Sequence, residues 1–163
     1  MNSITTNDDS LELNEKTKRA MEKLDGGNVP MDQNVIPLLN AINSLDGIRT
    51  RSSCGGHPDR YPSVLVWADG TEKSMASLCI LVHALKSYHW KLVAMPVGAI
   101  GDLHLDFMIM PDNALREWRE HQPPVSILAS ETSLVEETQA QLDNIAGRIL
   151  TLAGNSRFVP RKL

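Results

Sequence analysis

The amino-acid sequence predicts an α+β domain: a mixed or antiparallel sheet of about four strands, built from two hairpins, with helices packed on one face. Three observations carry this expectation. Apolar residues recur at helical spacing in separate stretches around 35–45, 75–85 and 134–152. Between the helices lie short strand-like runs at 48–54, 63–68, 90–97 and 103–110, the last three rich in Val, Ile and Leu. These runs come in two close pairs, whose connections are too short for the crossover that parallel neighbours need.

Taken in order, residues 1–10 read as a disordered polar lead, residues 11–154 as a single domain and residues 155–163 as a basic tail. Residues 11–24 suit a charged helix with Lys and Glu at helical spacing, stopped by Asp25-Gly26-Gly27-Asn28-Val29-Pro30. A second helix starts near Asp32 or Asn34. Val35, Leu38, Leu39, Ile42 and Leu45 form its buried stripe, Pro37 fits its first turn, and Gly47 stops it. In the strand at 48–54, alternation puts Ile48, Thr50, Ser52 and Cys54 on one face and Arg49, Arg51 and Ser53 on the other. The strand at 63–68 is its hairpin partner. Asp69-Gly70-Thr71 then opens a long helix with an apolar stripe of Met75, Leu78, Cys79, Val82 and Leu85, which makes Cys79 a small core residue. In the strand at 103–110, Leu103, Leu105, Phe107 and Ile109 face one way, and His104 and Asp106 the other. A short helix is expected around 115–121. A last helix opens with Ser133 and Glu136 at capping-box spacing, and its inner face runs from Leu134 through Thr138, Gln141, Leu142, Ile145 and Ile149 to Leu152.

A chain of 163 residues with 42% hydrophobic and 22% charged positions is ordinary for one soluble domain. No apolar run reaches the ~18 residues that span a bilayer, and the start has no signal-peptide pattern, so a cytoplasmic protein is expected. Cys54 and Cys79 alone make no disulfide framework. A net charge of −4 speaks against a broad grip on nucleic-acid backbone, though Arg49, Arg51 and Arg60 cluster locally.

The candidate site is Arg49-Thr50-Arg51-Ser52-Ser53-Cys54-Gly55-Gly56-His57-Pro58. Arginine forks and serine hydroxyls suit a phosphate or carboxylate, and glycines let backbone amides approach a ligand. The competing reading is a tight Gly-Gly hairpin turn. Gly55 and Gly56 fit neither a Walker loop nor a dinucleotide fingerprint. Cys54 and His57 have zinc-ligand spacing, but no second pair matches it, so no metal centre is expected. A cysteine nucleophile with a histidine base stays open. His104 and Asp106 lie about 7 Å apart along one strand face, which suits a site lining or a solvated surface, the solvated surface being the first reading.

Ile36-Pro37-Leu38-Leu39-Asn40-Ala41-Ile42-Asn43 followed by Ser52-Ser53-Cys54-Gly55-Gly56-His57 resembles the third wybutosine-synthesis protein family. There a helix ending in Ile-Asn leads to a strand and a Ser-Ser-Cys-Ser-Gly-Arg loop. The likeness extends loosely over residues 11–152, through Met31-Asp32-Gln33 and Tyr88-His89-Trp90-Lys91, but only the loop is specific. It implies an α+β domain related to S-adenosylmethionine-dependent enzymes that methylate a tricyclic guanosine base in tRNA. It carries over Ser52, Ser53, Cys54 and Gly56 as site residues. Gly55 replaces a serine of the family and His57 an arginine, and the family's Glu-Pro…His stretch has no counterpart.

Two functional expectations follow. The first is a ligand-binding protein of this type, with Arg49, Arg51, Ser52, Ser53, Gly55, Gly56 and His57 holding a small-molecule or nucleotide-like ligand. Its enzymatic form is methyl transfer from S-adenosylmethionine to an RNA base, with Cys54, His104 and Asp106 as catalytic candidates and Asp106 or His104 accepting a proton. The second is a non-catalytic protein that sequesters a nucleotide-like molecule or docks on a protein partner. Neither the ligand nor the oligomeric state can be read from the residues.

Overall fold

The computed structural model describes residues 32–56, 61–95, 105–115 and 132–155. The expected polar lead, the helix at 11–24 and the basic tail beyond Asn155 lie outside these residues. So does the helix expected around 115–121, past Leu115.

A 3-10 turn, Gln33–Val35, leads into α1, Ile36–Asn43, with Pro37 in the first turn where its missing N–H costs nothing. Val35, Leu38, Leu39 and Ile42 are fully buried and Leu45 nearly so, as the periodicity predicts. Gly47 turns the chain at φ +69°, and a Cβ there would stand 2.8 Å from the Ser74 Cβ, so only glycine fits. Strand β1, Ile48–Cys54, follows. Asn43 is fully buried and clamps it: its Nδ2 donates to Thr50 Oγ1 at 2.8 Å, and its Oδ1 accepts the Thr50 N–H at 2.9 Å.

Strand β2 is Ser63–Ala68, α2 is Glu72–Lys86, β3 is Trp90–Met95 and β4 is Leu105–Pro111. The four strands form one sheet in the order β1-β2-β4-β3, antiparallel throughout. It is the α+β sheet of two hairpins that the short connections predict. Ile48, Val64, Val66, Ala68 and Ile109 supply its buried face, against which α1 and α2 pack.

The alternation expected along β1 holds only to Arg51. The register jumps between Thr50 and Ser52, so Thr50 faces Val66, Ser52 faces Leu65, Ser53 faces Val64 and Cys54 faces Ser63. Arg51 is the extra residue of a β-bulge. Since directly opposed residues share a sheet face, Ser52 and Cys54 join Arg49 on the outer face, and Ser53 turns inward beside Val64. One inserted residue inverts the second half of the strand.

Helix α2 is rotated from the expected orientation. Its buried residues are Ser74, Ser77, Leu78, Leu81, Ala84 and Leu85. Met75 and Val82 are each 49% exposed and Cys79 is exposed, so Cys79 is not a core residue. The cause lies in the two serines. Ser77 Oγ donates to the Asp46 carbonyl at 2.7 Å and Ser74 Oγ to the Thr71 carbonyl at 2.8 Å. With their hydroxyls satisfied, these small side chains let the helix approach the turn after α1 closely, which a Met or Val stripe would prevent.

The single last helix is two: α3, Thr132–Ala140, and α4, Leu142–Gly154, separated at Gln141. Helix α3 begins at Thr132, one residue before the expected cap at Ser133. Leu142, Ile145, Ala146, Ile149 and Leu152 bury α4 against α1 and α2. Gln141 Oε1 accepts the Nε1–H of buried Trp90 at 2.7 Å, tying the break to β3. Among the described residues no helix is long and apolar enough to cross a membrane.

Candidate functional site

The sheet face turned away from α1 and α2 carries most of the residues that the sequence singles out. Register places Arg49, Trp67, Asp106 and Met95 side by side across the strands, with Ser52, Leu65, Met108 and Val93 in the next row. On this half-apolar surface sits a pair of charges. Arg51 Nη1 lies 3.4 Å from Asp106 Oδ2, with the arginine side chain 26% exposed and the aspartate side chain 0%. Strand β2 separates β1 from β4, so the Arg51 side chain crosses two strand spacings, about 9.5 Å, to make the pair. Beside it the Arg49 guanidinium lies over Trp67, 4.2 Å from the ring centroid.

Asp106 is not the solvated residue that simple polar alternation suggests. It is 2% exposed, and its Oδ1 has no hydrogen-bond partner among the described residues. Arg51 Nε is likewise buried without a partner among the described residues. An unsatisfied buried polar atom costs about 1–3 kcal/mol, more when charged, so native structures rarely keep two together idly. Here one acceptor and one donor stand unused on the two members of one ion pair. They could together receive a group that both donates and accepts.

The glycine loop is anchored from beneath. The Gly55 N–H donates to Asp32 Oδ2 at 2.7 Å, and the Gly55 carbonyl accepts from Asn34 Nδ2 at 2.8 Å. A Cβ on Gly55 would lie 2.7 Å from the Asp32 Cβ. Gly56 has φ +88°, and a Cβ there would lie 2.8 Å from Gln139 Nε2. The two glycines thus admit neighbouring side chains of the protein, and the Gly55 amide is already engaged. This fixes the end of β1 and with it the position of Cys54, which is half-buried on the outer face, while Ser52 is exposed.

Of the sequence-predicted site residues, Arg49, Arg51, Ser52, Cys54 and Asp106 share the outer face, and Ser53 leaves it. His57 and His104 lie outside the described residues. Among the described residues, no three His, Cys, Asp or Glu side chains are placed to hold a metal ion. Sequence reasoning missed Trp67, whose signal was an aromatic on the outward phase of β2, and it missed Asp32 and Asn34, which read as helix-start residues.

A second feature lies where β3 begins and β4 ends. An open cleft of about 200 Å³ is bounded by Tyr88, His89, Asp112, Asn113, Glu137 and Gln141. His89 adopts φ +57°, and its carbonyl accepts the Asp112 N–H at 2.8 Å.

No protein-family model matches the chain, and no curated protein matches it. Among solved structures it is similar to the PH1069 protein of Pyrococcus horikoshii, at 15% identity and a TM-score of 0.41, over 86% of this chain and 94% of that one.

Proposed function

We propose that the protein binds a small polar or nucleotide-like ligand on the outer face of its sheet, with Arg51 and Asp106 at the centre of the site. The observation that carries this reading is the buried Asp106 carboxylate with an unused Oδ1 beside the unused Nε of its own ion-pair partner. Ser52 and Cys54 border the pair on the same face, and the Arg49–Trp67 stack forms its floor on one side.

The resemblance to wybutosine-synthesis proteins supplies the enzymatic form of the proposal: a cytoplasmic enzyme that transfers a methyl group from S-adenosylmethionine to an RNA base. Both unpartnered atoms are closed to solvent, so the two side chains would have to part to admit that cofactor; their donor and acceptor then match its polar ends. Arg51 Nε is a donor for its carboxylate or a hydroxyl, and Asp106 Oδ1 is an acceptor for its ammonium or ribose. The Trp67 ring is already covered by Arg49, so an adenine on this face would meet a guanidinium plane. When bound, the cofactor supplies an electrophilic methyl group; the protein's part is to orient it and to exclude water. The non-catalytic reading, a protein that sequesters such a ligand, is favoured by the missing Glu-Pro…His counterpart. A contact with RNA would be local, given the net charge of −4.

Native mass spectrometry of protein purified from cells tests binding first. Titration calorimetry with S-adenosylmethionine, S-adenosylhomocysteine and common nucleotides follows, on the wild type and on Asp106→Asn. The asparagine keeps the shape and loses the charge, and should weaken any binder about ten- to hundredfold. A copurifying ligand held equally well by Asp106→Asn would remove Asp106 from the site. No ligand in either experiment would leave the pair as architecture.

A further inference from the structure

We propose that α2 is the contact surface of a homodimer, pairing antiparallel with α2 of a second copy across a two-fold axis at Cys79. Five of the exposed residues of this helix fall on one seam. Glu72, Met75, Cys79, Val82 and Lys86 are all exposed, and their spacing of three, four, three and four is the heptad spacing of a coiled-coil contact. The residues that bury α2 in its own domain, among them Leu78, Leu81 and Leu85, lie on the opposite side. Met75 and Val82, each 49% exposed, are two of the large apolar side chains that the fold leaves in water.

The order of these residues points to a second copy. Glu72 and Lys86 each stand seven residues from Cys79, Met75 four before it and Val82 three after it. In an antiparallel pair centred on Cys79, Glu72 meets the partner's Lys86, Cys79 meets its own equivalent, Met75 meets the partner's His83 and Ala76 meets the partner's Val82. By two-fold symmetry each contact except the one at Cys79 occurs twice. Ala76 is half-buried beside the seam, so a small residue faces the larger Val82 of the partner subunit. Neither Glu72 nor Lys86 forms an ion pair among the described residues. Each does oppose the dipole of its own helix, so the charges alone would say little. Their equal distance from Cys79, with only apolar seam residues between them, is what fits self-pairing. The seam spans fourteen residue steps, about 21 Å. A single helix pair of this length lies below the roughly 1,200 Å² of a stable interface, so the dimer is a weak, concentration-dependent one.

Sedimentation velocity on the full chain, from low to high micromolar protein, should show a monomer–dimer equilibrium. Glu72→Lys should weaken it about tenfold, because two like-charge contacts replace two ion pairs. Glu72→Lys combined with Lys86→Glu should restore it to within about twofold. A short bis-maleimide should give a covalent dimer with wild type and with Cys54→Ser, and none with Cys79→Ser. The changes are at exposed positions, and melting curves confirm that each variant is folded. A chain monomeric across the whole range overturns the proposal. So does a dimer that ignores the charge changes, or one that crosslinks without Cys79; either would place another surface at the contact.

Discussion

Asp106 is where a single residue tells most. A buried, poorly compensated charge stabilises little by itself, while removing its partner leaves it stranded. Asp106→Asn should therefore leave the ligand-free melting temperature unchanged or raise it, and Arg51→Ala should lower stability by about 1–3 kcal/mol. The opposite order in thermal melts would mean that the pair is a structural clamp. Alternation alone makes Arg51 an exposed ligand-binding candidate of small consequence for stability; its reach over β2 to a buried carboxylate was not legible, because strand order is not. Asp69 gives a pH test. Its carboxylate accepts from Thr71 Oγ1 at 2.7 Å and from the Thr71 N–H at 2.9 Å, and these bonds hold its pKa below the ordinary aspartate value. A pKa lowered by folding contributes stability that is present above the unfolded value and is lost as pH falls through the folded one. The deficit of Asp69→Asn against wild type in urea melts should thus be visible at neutral pH and shrink below about pH 4. A deficit of the same size at pH 3 would mean that the charge plays no part.

Between residues and the whole stand the helices and strands, and here sequence reading succeeded unevenly. The stripe of α1 was fully legible, because Val35, Leu38, Leu39, Ile42 and Leu45 leave no competing face. On α2 two faces competed, and hydrophobicity chose Met75, Cys79 and Val82, where the fold buries Ser74 and Ser77. Serine hydroxyls bonded to Asp46 and Thr71 carbonyls behave as small core groups, which no periodicity count registers. The consequence for chemistry is direct. At low protein concentration, an alkylating agent should label exposed Cys79 no more slowly than half-buried Cys54; clear preference for Cys54 would contradict the observed orientation of α2. The link from α1 to β1 is the other sensitive element. Gly47→Ala would force a side chain into φ +69° and against Ser74, at a cost of roughly 1–3 kcal/mol by denaturant unfolding. A loss under 0.5 kcal/mol would mean that the turn can relax.

For the whole molecule, the two-hairpin sheet was legible from connection lengths, and the joining of the hairpins through β2 and β4 was not. The choice of which strands meet rests on packing among distant segments. That choice makes β2 and β4 central and leaves β1 and β3 at the edges. Amide exchange should be slowest in β2 and β4 and faster along β1; fastest exchange in β2 would refute this order. The candidate site was half legible: its residues were named, but the face they share depends on the bulge at Arg51. That bulge also bears on how the chain can change length. Because Arg51 is the unpaired extra residue, excising it would leave Thr50 opposite Val66 and Ser52 opposite Leu65, and every later side chain would keep its face. Losing any other single residue of β1 must either consume the bulge or turn the rest of the strand over. At one codon, then, the gene can shed a residue of this strand without scrambling the sheet, and that codon encodes the arginine that reaches Asp106.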